Sequence, residues 1–183
     1  MSYAKTIIAI AAMPGAGKAM ASELARDRDM PVFLCGDVVR EEASRRRLSP
    51  TPENLGNLML KMRQEEGPDV MAKRLIPKIN SAQSNVVIVE GLRGLEELEL
   101  LKKNFKVRLL AIHSSPDKRF QRLLRRRRSD DPKTPEEFNQ RDRRELAVGI
   151  GSVIAVADKL IVNDSTVEAF KLKLNRFYEE VLS

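Results

Sequence analysis

The stretch that decides the fold is Ile7 to Met20, which reads Ile-Ile-Ala-Ile-Ala-Ala-Met-Pro-Gly-Ala-Gly-Lys-Ala-Met. Its first part is continuously apolar, a pattern typical of a strand that is covered on both faces. Its second part is a glycine-containing turn that runs directly into a helical pattern. A strand, turn and helix in this order bring several backbone N–H groups to one point, so the sequence predicts an anion-binding loop.

The predicted loop has the chemistry of a phosphate site. The N–H groups of residues 15–18 can converge on an anion, and the Lys18 ammonium would supply a full positive charge to the outer phosphates. Lys18 is therefore a predicted catalytic residue as well as a nucleotide-binding one. The nucleotide-binding residues predicted from this stretch are Met13, Pro14, Gly15, Ala16, Gly17, Lys18, Ala19 and Met20.

Two positions depart from the pattern G-x-x-x-x-G-K-[ST]. Ala12 replaces the first glycine, which is tolerable if this residue ends the strand at a negative φ. Ala19 replaces the hydroxyl residue, and Met20 follows it, so a Mg²⁺ ion would depend on water, phosphate and carboxylates elsewhere. The alternative interpretation is a glycine-rich turn that binds nothing.

Length and composition predict one soluble domain. The chain has 183 residues, of which 42% are hydrophobic and 32% charged, and its single cysteine, Cys35, forbids an internal disulfide. It shows no charged-then-apolar leader and no apolar run near the roughly 20 residues that span a bilayer. We therefore expect a cytoplasmic location and no membrane partner.

The net charge of +7 is concentrated in three arginine clusters, at residues 45–47, 125–128 and 141–144. Guanidinium groups suit the recognition of polyphosphates. Nucleic acid is a possible partner by the same chemistry. It is not favoured, because six Phe, two Tyr and no Trp leave little for base stacking.

The rest of the chain alternates strand and helix patterns, which predicts an α/β fold with a five-stranded parallel sheet and helices on both faces. The later strands are predicted at residues 31–35, 85–90, 105–113 and 159–162. After the second of these five strands, which is expected to be buried, Asp37 fits a helix N-cap with Arg40 in the first turn. Both are predicted to bind the acceptor substrate, with Arg40 meeting its phosphate; the alternative is a capped surface helix.

Glu90 and Arg93 follow the third strand. A carboxylate at the carboxyl end of a buried parallel strand lies where open α/β sheets bind ligands. Glu90, together with Asp37, is predicted to hold Mg²⁺ through water, and Arg93 can reach an acceptor phosphate. The alternative for Glu90 is a carboxylate favoured by the dipole of the following helix.

Two arginine-rich helices, predicted at residues 116–128 and from 136 to about 146, are joined by a short acidic turn. They predict a lid over about residues 125–146 that excludes water and covers the donor phosphates. The arginines assigned to catalysis are Arg125, Arg128, Arg141 and Arg144. The alternative is a solvated helical hairpin. After the last strand, Asn163 is predicted to border the adenine.

Motifs along nearly the whole chain resemble the archaeal family of adenylate-kinase-related proteins, which is similar in fold to P-loop nucleoside monophosphate kinases. The motifs are residues 13–18, 36–41, 51–56, 90–93, 128–132, 141–146 and Ala157-Asp158 with Asn163. The last third, from Arg119, also resembles dephospho-CoA kinase. The resemblance implies ATP at the loop and a nucleotide-like acceptor near Asp37, Arg40 and Arg93.

The expected protein is thus a single three-layer P-loop domain over residues 1–183. It has a helical acceptor-binding arm at about residues 37–82, and transfers the γ-phosphoryl of ATP to a nucleotide-like acceptor with Mg²⁺. Two alternatives stay open: a dephospho-CoA kinase-like enzyme, and an ATP-binding regulatory or nucleic-acid-associated protein without transfer activity. The sequence leaves the acceptor, the choice of ATP over GTP and the oligomeric state open.

Overall fold

Five parallel strands form one sheet in the computed structural model, which describes residues 5–128 and 131–182. The strands are β1 (Thr6–Ala11), β2 (Val32–Leu34), β3 (Val86–Glu90), β4 (Lys106–His113) and β5 (Lys159–Val162). Their order across the sheet is β2-β3-β1-β4-β5. Because β1 lies between β3 and β4, the loops that follow these three strands meet at one edge of the sheet.

The helices within the described residues lie on both faces of this sheet. They are α1 (Lys18–Arg26), α2 (Cys35–Arg45), α3 (Pro52–Glu66), α4 (Val70–Ser81), α5 (Leu95–Asn104), α6 (Pro116–Arg126), α7 (Pro135–Val148), α8 (Ile150–Ala155) and α9 (Val167–Leu182). Over the described ranges, no helix has both the length and the apolar character needed to cross a membrane.

The alternation of side chains along β1 divides the core into two clusters. Ile8 and Ile10 pack with the residues of α1 and α9, whereas Ile7 and Ala9 pack on the opposite face with residues of α2 to α5. All four side chains are fully buried. The prediction that this strand is covered on both faces is therefore confirmed, and the three-layer α/β P-loop fold is as predicted.

Two local predictions after β1 are wrong. The second strand is half-buried rather than buried, because β2 lies at an edge of the sheet and one side of it has no neighbour. Asp37 is not an N-cap: α2 begins two residues earlier, after Leu34 with its extended backbone, and Asp37 lies inside the first turn. Its carboxylate accepts a hydrogen bond from the Arg40 guanidinium at 2.7 Å.

Candidate active site

The loop between β1 and α1 is shaped by two glycines. Gly15 and Gly17 have φ of 81° and 120°, in a region that favours glycine. A side chain on Gly15 would lie 2.6 Å from the backbone oxygen of Arg119, and one on Gly17 would lie 2.6 Å from the amide nitrogen of Asn163. Conformation and close packing therefore both require glycine. Ala12 does not adopt a positive φ, so the missing first glycine is tolerated.

Lys18 is the first residue of α1, and its side chain turns back over the loop. Its ammonium donates a hydrogen bond to the Ala12 carbonyl at 2.7 Å. Burial lowers the pKa of Lys18 to about 8, although the nearby carboxylates of Glu90 and Glu145 act in the opposite direction. The ammonium therefore rests on a neutral carbonyl inside the loop, where an entering phosphate would replace that partner.

Glu90, at the end of β3, faces the same space as Lys18. One of its carboxylate oxygens accepts a hydrogen bond from the Ser22 hydroxyl at 2.5 Å. This bond orients the carboxylate beside the loop cavity. Sequence reasoning missed Ser22, which is almost fully buried. Its spacing of four residues from Lys18 places both on one face of α1, and that spacing is the signal that points to it.

Two cavities open at this edge of the sheet. The larger, here called the loop cavity, has a volume of about 350 Å³ and is lined by the loop, Lys18 and Glu90. The smaller, here called the side cavity, has a volume of about 120 Å³ and lies between α2, α3 and α7. Both are lined by Gly36, Arg40, Arg93, Arg141 and Glu145. The cavities are therefore neighbours with a common, mostly cationic wall.

The common wall contains a buried ion pair. The Arg93 guanidinium donates two hydrogen bonds to the Glu145 carboxylate, one of them at 3.1 Å. These bonds join the loop after β3, which contains Arg93, to helix α7, which contains Glu145. Burial alone would raise the pKa of the Glu145 carboxyl, but the charge and hydrogen bonds of Arg93 outweigh it and lower that pKa. Arg93 therefore lies beside both cavities, while its role in binding an acceptor phosphate stays a prediction, and Glu145 is a partner that sequence reasoning missed.

Arg40 also lies in the common wall, whereas Asp37 does not. Their ion pair joins two side chains that are each about half exposed, at 54% and 52%. Within the described residues, the walls of both cavities exclude Asp37. The structure thus brings together Lys18, Glu90, Arg40 and Arg93 and leaves Asp37 beside them.

The four arginines predicted for the lid separate into three groups. Arg128 and Arg141 line the loop cavity. Arg144 lines the side cavity instead. Arg125 is exposed on α6 and, among the described residues, belongs to neither wall.

Two further arginines of α6 line the loop cavity, Arg122 and Arg126. They are four residues apart and share a helix face, a signal that the run of consecutive arginines conceals. The Arg122 guanidinium donates to the Asn163 carbonyl at 2.7 Å and to the Ser114 hydroxyl at 2.9 Å. Burial lowers the pKa of Arg122.

Asp131 connects the two helices of the predicted lid. Its carboxylate accepts hydrogen bonds from the Arg126 side chain at 2.9 and 2.5 Å and from the Arg128 N–H at 3.0 Å. It also lies 3.6 Å from the Arg141 guanidinium. The predicted lid residues 129 and 130 lie outside the described residues. Asp131 thus holds arginines of both helices against the loop cavity.

Arg119 ties the loop to α7 from inside the protein. It is only 4% exposed, and its guanidinium donates to the carbonyls of Pro14 and Ser114, each at 3.2 Å. The same guanidinium forms a bidentate pair with Asp142, one bond being 2.9 Å, and lies 4.9 Å from the centre of the Phe138 ring. The position of α7 is therefore coupled to the shape of the loop.

The remaining predicted residues support the loop from several sides. Ala19 lines the loop cavity, whereas the Met20 side chain packs on the core cluster of α1 and α9. The buried Ala16 donates its N–H to the Met13 carbonyl at 3.1 Å. The Asn163 amide donates to the Ala16 carbonyl at 2.8 Å, so Asn163 holds the loop from behind. That it borders an adenine stays a prediction.

No cluster of three or more His, Cys, Asp or Glu side chains suited to a metal ion occurs in residues 5–128 and 131–182. A metal ion at this site would therefore share Glu90 with water and with the phosphates of a ligand.

Known proteins share this architecture. A family model described as an AAA domain matches residues 11–139. The shikimate kinase of Bacteroides thetaiotaomicron has a TM-score of 0.61 at 15% identity, with 98% of this chain and 99% of that chain covered. A Thermus thermophilus protein has a TM-score of 0.68 at 17% identity, with 98% of both chains covered. Fold and loop together define a nucleotide-binding protein with a P-loop kinase-like fold.

Archaeal relatives identify the family within that class. A UPF0200 protein of Hyperthermus butylicus is 46% identical over 94% of this chain and 92% of its own length. A UPF0200 protein of Pyrococcus horikoshii is 43% identical over 97% of this chain and 98% of its own length. The chain belongs to the UPF0200 family.

Proposed function

We propose that this protein is an ATP-dependent phosphotransferase that moves the γ-phosphoryl group of ATP to a nucleotide-like acceptor, as adenylate kinase-related enzymes do. The observation that carries the proposal is the pair of adjoining cavities with a common wall of Arg40, Arg93 and Arg141. Transfer between two substrates requires their reacting groups to meet in one place, and this wall is such a place.

The loop cavity is the proposed donor site. It has the larger volume, and Gly15, Gly17 and Lys18 line it from one side. Arg126 and Arg128 of the predicted lid line it as well, and so does Arg122, which precedes the predicted lid in α6. This distribution of donors and positive charge matches a chain of phosphates.

The side cavity is the proposed acceptor site. Val39, Leu55 and Met59 give it an apolar surface, while Arg93 and Arg144 add positive charge. An acceptor with a flat apolar part and an anionic group complements both features. A nucleoside monophosphate and dephospho-CoA each satisfy this description, so both belong in the test.

The proposed chemistry depends on positioning rather than on a covalent intermediate. An acceptor oxygen attacks the γ-phosphorus, the bond from that phosphorus to the bridging oxygen breaks, and ADP leaves with the bonding electrons. Arg141 lies in the common wall and can neutralise charge on the transferred group. A Mg²⁺ ion, when bound through water held by Glu90, would neutralise the donor phosphate oxygens.

The test is ADP release from ATP in the presence of Mg²⁺ and each member of a panel of nucleoside monophosphates and dephospho-CoA. We expect one class of acceptor to stimulate turnover, and Lys18→Ala to lower kcat/KM by at least about 10²-fold, the typical loss of one charged transition-state contact. Lys103→Ala, which removes an exposed lysine of α5, is the matched control. If no acceptor stimulates ADP release by the wild-type protein, the transferase proposal is refuted.

A second candidate function is nucleic-acid association. The observation that favours it is the exposure of Arg125 and Arg143, which lie outside the walls of both cavities in the described part of the chain. Binding through exposed arginines would survive Lys18→Ala and weaken steeply with salt. Filter binding of a generic RNA and DNA oligomer at several salt concentrations separates this candidate from the transferase.

A further inference from the structure

Gly56 lies in the second turn of α3, where a glycine needs a reason. Glycine is among the least favourable residues in a helix interior. Gly56 has no positive φ, so its conformational freedom is not what the position uses. What it provides is space: a Cβ here would lie 2.8 Å from Nη1 of Arg144 and 3.2 Å from its Cζ. The guanidinium of α7 therefore lies directly against the bare backbone of α3.

Arg144 itself differs from the other arginines of the side cavity. Arg40 pairs with Asp37, Arg93 pairs with Glu145, and Arg141 has Asp131 at 3.6 Å. By contrast, no ion pair and no hydrogen bond joins Arg144 to any residue in the ranges 5–128 and 131–182. Its side chain is nevertheless partly buried and lines the cavity together with Leu55 and Met59.

A guanidinium in this setting has the properties of an anion-binding group. It carries five N–H donors and a permanent charge. Taking such a group out of water beside apolar side chains is unfavourable unless an anion compensates. The apolar neighbours and the open donors together describe a place for an anionic group on a molecule with an apolar body.

We infer that Gly56 leaves the space that the Arg144 guanidinium occupies. In this position, Arg144 selects acceptors that carry an anionic group at the apolar end of the side cavity. Gly56 is then a positioning residue and Arg144 a specificity-determining one. That the bound molecule is an acceptor rests on the proposed function, whereas anion binding at Arg144 can be tested without any turnover.

The Gly56→Ala variant separates this role from simple helix packing. Alanine favours the helix, and the atoms it would meet are the far end of a flexible side chain, so Arg144 can swing away. We expect a melting temperature equal to or above that of the wild type, together with an acceptor KM raised about tenfold or more, the loss typical of one charged hydrogen bond. The KM for ATP should not change.

Two matched controls are available. Gly151→Ala makes the same helix-favouring change in α8, where a Cβ would have only ordinary contact with Leu146 at 3.5 Å. Arg143→Gln removes an exposed charge from the residue beside Arg144. Neither should raise the acceptor KM. Arg144→Gln should raise it, and the double variant Gly56→Ala/Arg144→Gln should be no worse than Arg144→Gln alone. An unchanged acceptor KM in Gly56→Ala would overturn the inference.

A second readout does not depend on catalysis. The ¹⁵Nε signal of Arg144, assigned by its loss in Arg144→Gln, is followed while inorganic phosphate or AMP is added to the wild-type protein. We expect the signal to shift with AMP, and to shift less in Gly56→Ala. A shift in a protein that turns over no acceptor would refute the proposed transferase but support the anion site. Normal turnover with an Arg144 signal that neither probe moves would refute only the inference.

Discussion

Single residues at this site differ in how their buried charge is compensated. Arg93 and Glu145 compensate each other, and the Arg119 guanidinium is matched by Asp142. Lys18 has a backbone carbonyl as its hydrogen-bond acceptor instead, and burial lowers its pKa to about 8. A site that holds a partly compensated ammonium is prepared for a ligand that brings negative charge.

This pKa predicts proton uptake when ATP binds. Near pH 8 about half of the Lys18 side chains are neutral, and phosphates beside the ammonium would raise its pKa, so roughly half a proton enters per ATP bound. ATP affinity should therefore fall as the pH rises above about 8. Calorimetry at pH 8 in buffers of different ionisation enthalpy measures this uptake, and Lys18→Met should abolish it. A binding heat that is the same in all buffers would contradict the prediction.

Some site residues could be predicted because their residue type and local motif mark them. Residues that matter only through a contact with a distant side chain could not. Lys18 and Glu90 stand next to a glycine turn and at a strand end, and both line the loop cavity as expected. Ser22 and Glu145 matter because of the side chains they contact, which are 68 and 52 residues away. The spacing of Ser22 from Lys18 is a local signal for Ser22, but nothing local in the sequence marks the pairing of Glu145 with Arg93.

Among the helices, α5 contains a buried carboxylate that fixes the backbone next to the site. Glu97 is completely buried, and it accepts hydrogen bonds from the N–H groups of Arg93 and Gly94 at 2.8 and 3.0 Å. It also accepts one from the Arg63 guanidinium at 2.8 Å. These bonds give the N–H groups just before α5 a hydrogen-bond acceptor, and they fix the backbone at Arg93.

We therefore expect Glu97→Gln to lower the free energy of unfolding by about 1–3 kcal/mol, because a buried acceptor is replaced by a group with one acceptor oxygen and no charge for Arg63. Urea denaturation measures this loss. Glu96→Gln, at the exposed neighbouring position of the same helix, should stay within about 0.5 kcal/mol of the wild type. Equal effects of the two variants would show that the buried bonds contribute little.

The positions of the helices could be predicted from the sequence, but the side of each helix that faces the site could not. The patterns at residues 116–128 and 136–146 predict two helices, and α6 and α7 occupy these places. Which arginines of the run 125–128 face the site depends on the rotation of α6, and this is fixed by buried Arg119 and Leu123 rather than by the run itself. For the same reason, Arg122 and Arg126 line the cavity and Arg125 does not.

In the molecule as a whole, a buried glutamate joins the helices of segment 37–82. The Glu42 side chain is 1% exposed. It pairs with Arg45 at the end of α2, with Arg46 just after that helix, and with Arg74 of α4. Hydrogen bonds from Arg45, Arg74 and Arg46 lower the pKa of the Glu42 carboxyl well below its ordinary 4.5.

This shift predicts acid sensitivity of the fold. Because the folded pKa lies below the unfolded one, the unfolded chain binds more protons at intermediate pH, and stability falls as the pH drops below about 4.5. Urea unfolding at a series of pH values should show the fall, and Glu42→Gln should flatten it. Glu41→Gln, whose partner Lys78 is 43% exposed, should keep the wild-type pH dependence. A Glu42→Gln curve parallel to that of the wild type would refute the assignment.

The five parallel strands with helices on both faces followed from the alternation of apolar runs and helical patterns, but the strand order β2-β3-β1-β4-β5 was not predicted. The side cavity did not follow, since its walls come from α2, α3 and α7. Gly56 illustrates the limit: in the sequence it belongs to the motif at residues 51–56, and only the approach of α7 shows why it is glycine.

The hydrogen bond from Asn163 to the loop has a consequence for how the protein is made. Its two ends, Asn163 and Ala16, are separated by 147 positions, and the bond from Arg119 to Pro14 spans 105. A growing chain therefore makes the loop long before it makes the side chains that brace it, which follow 147 and 105 positions later. The braced form of the loop thus arises only after the fifth strand has emerged, although the loop residues themselves precede that strand by more than a hundred positions.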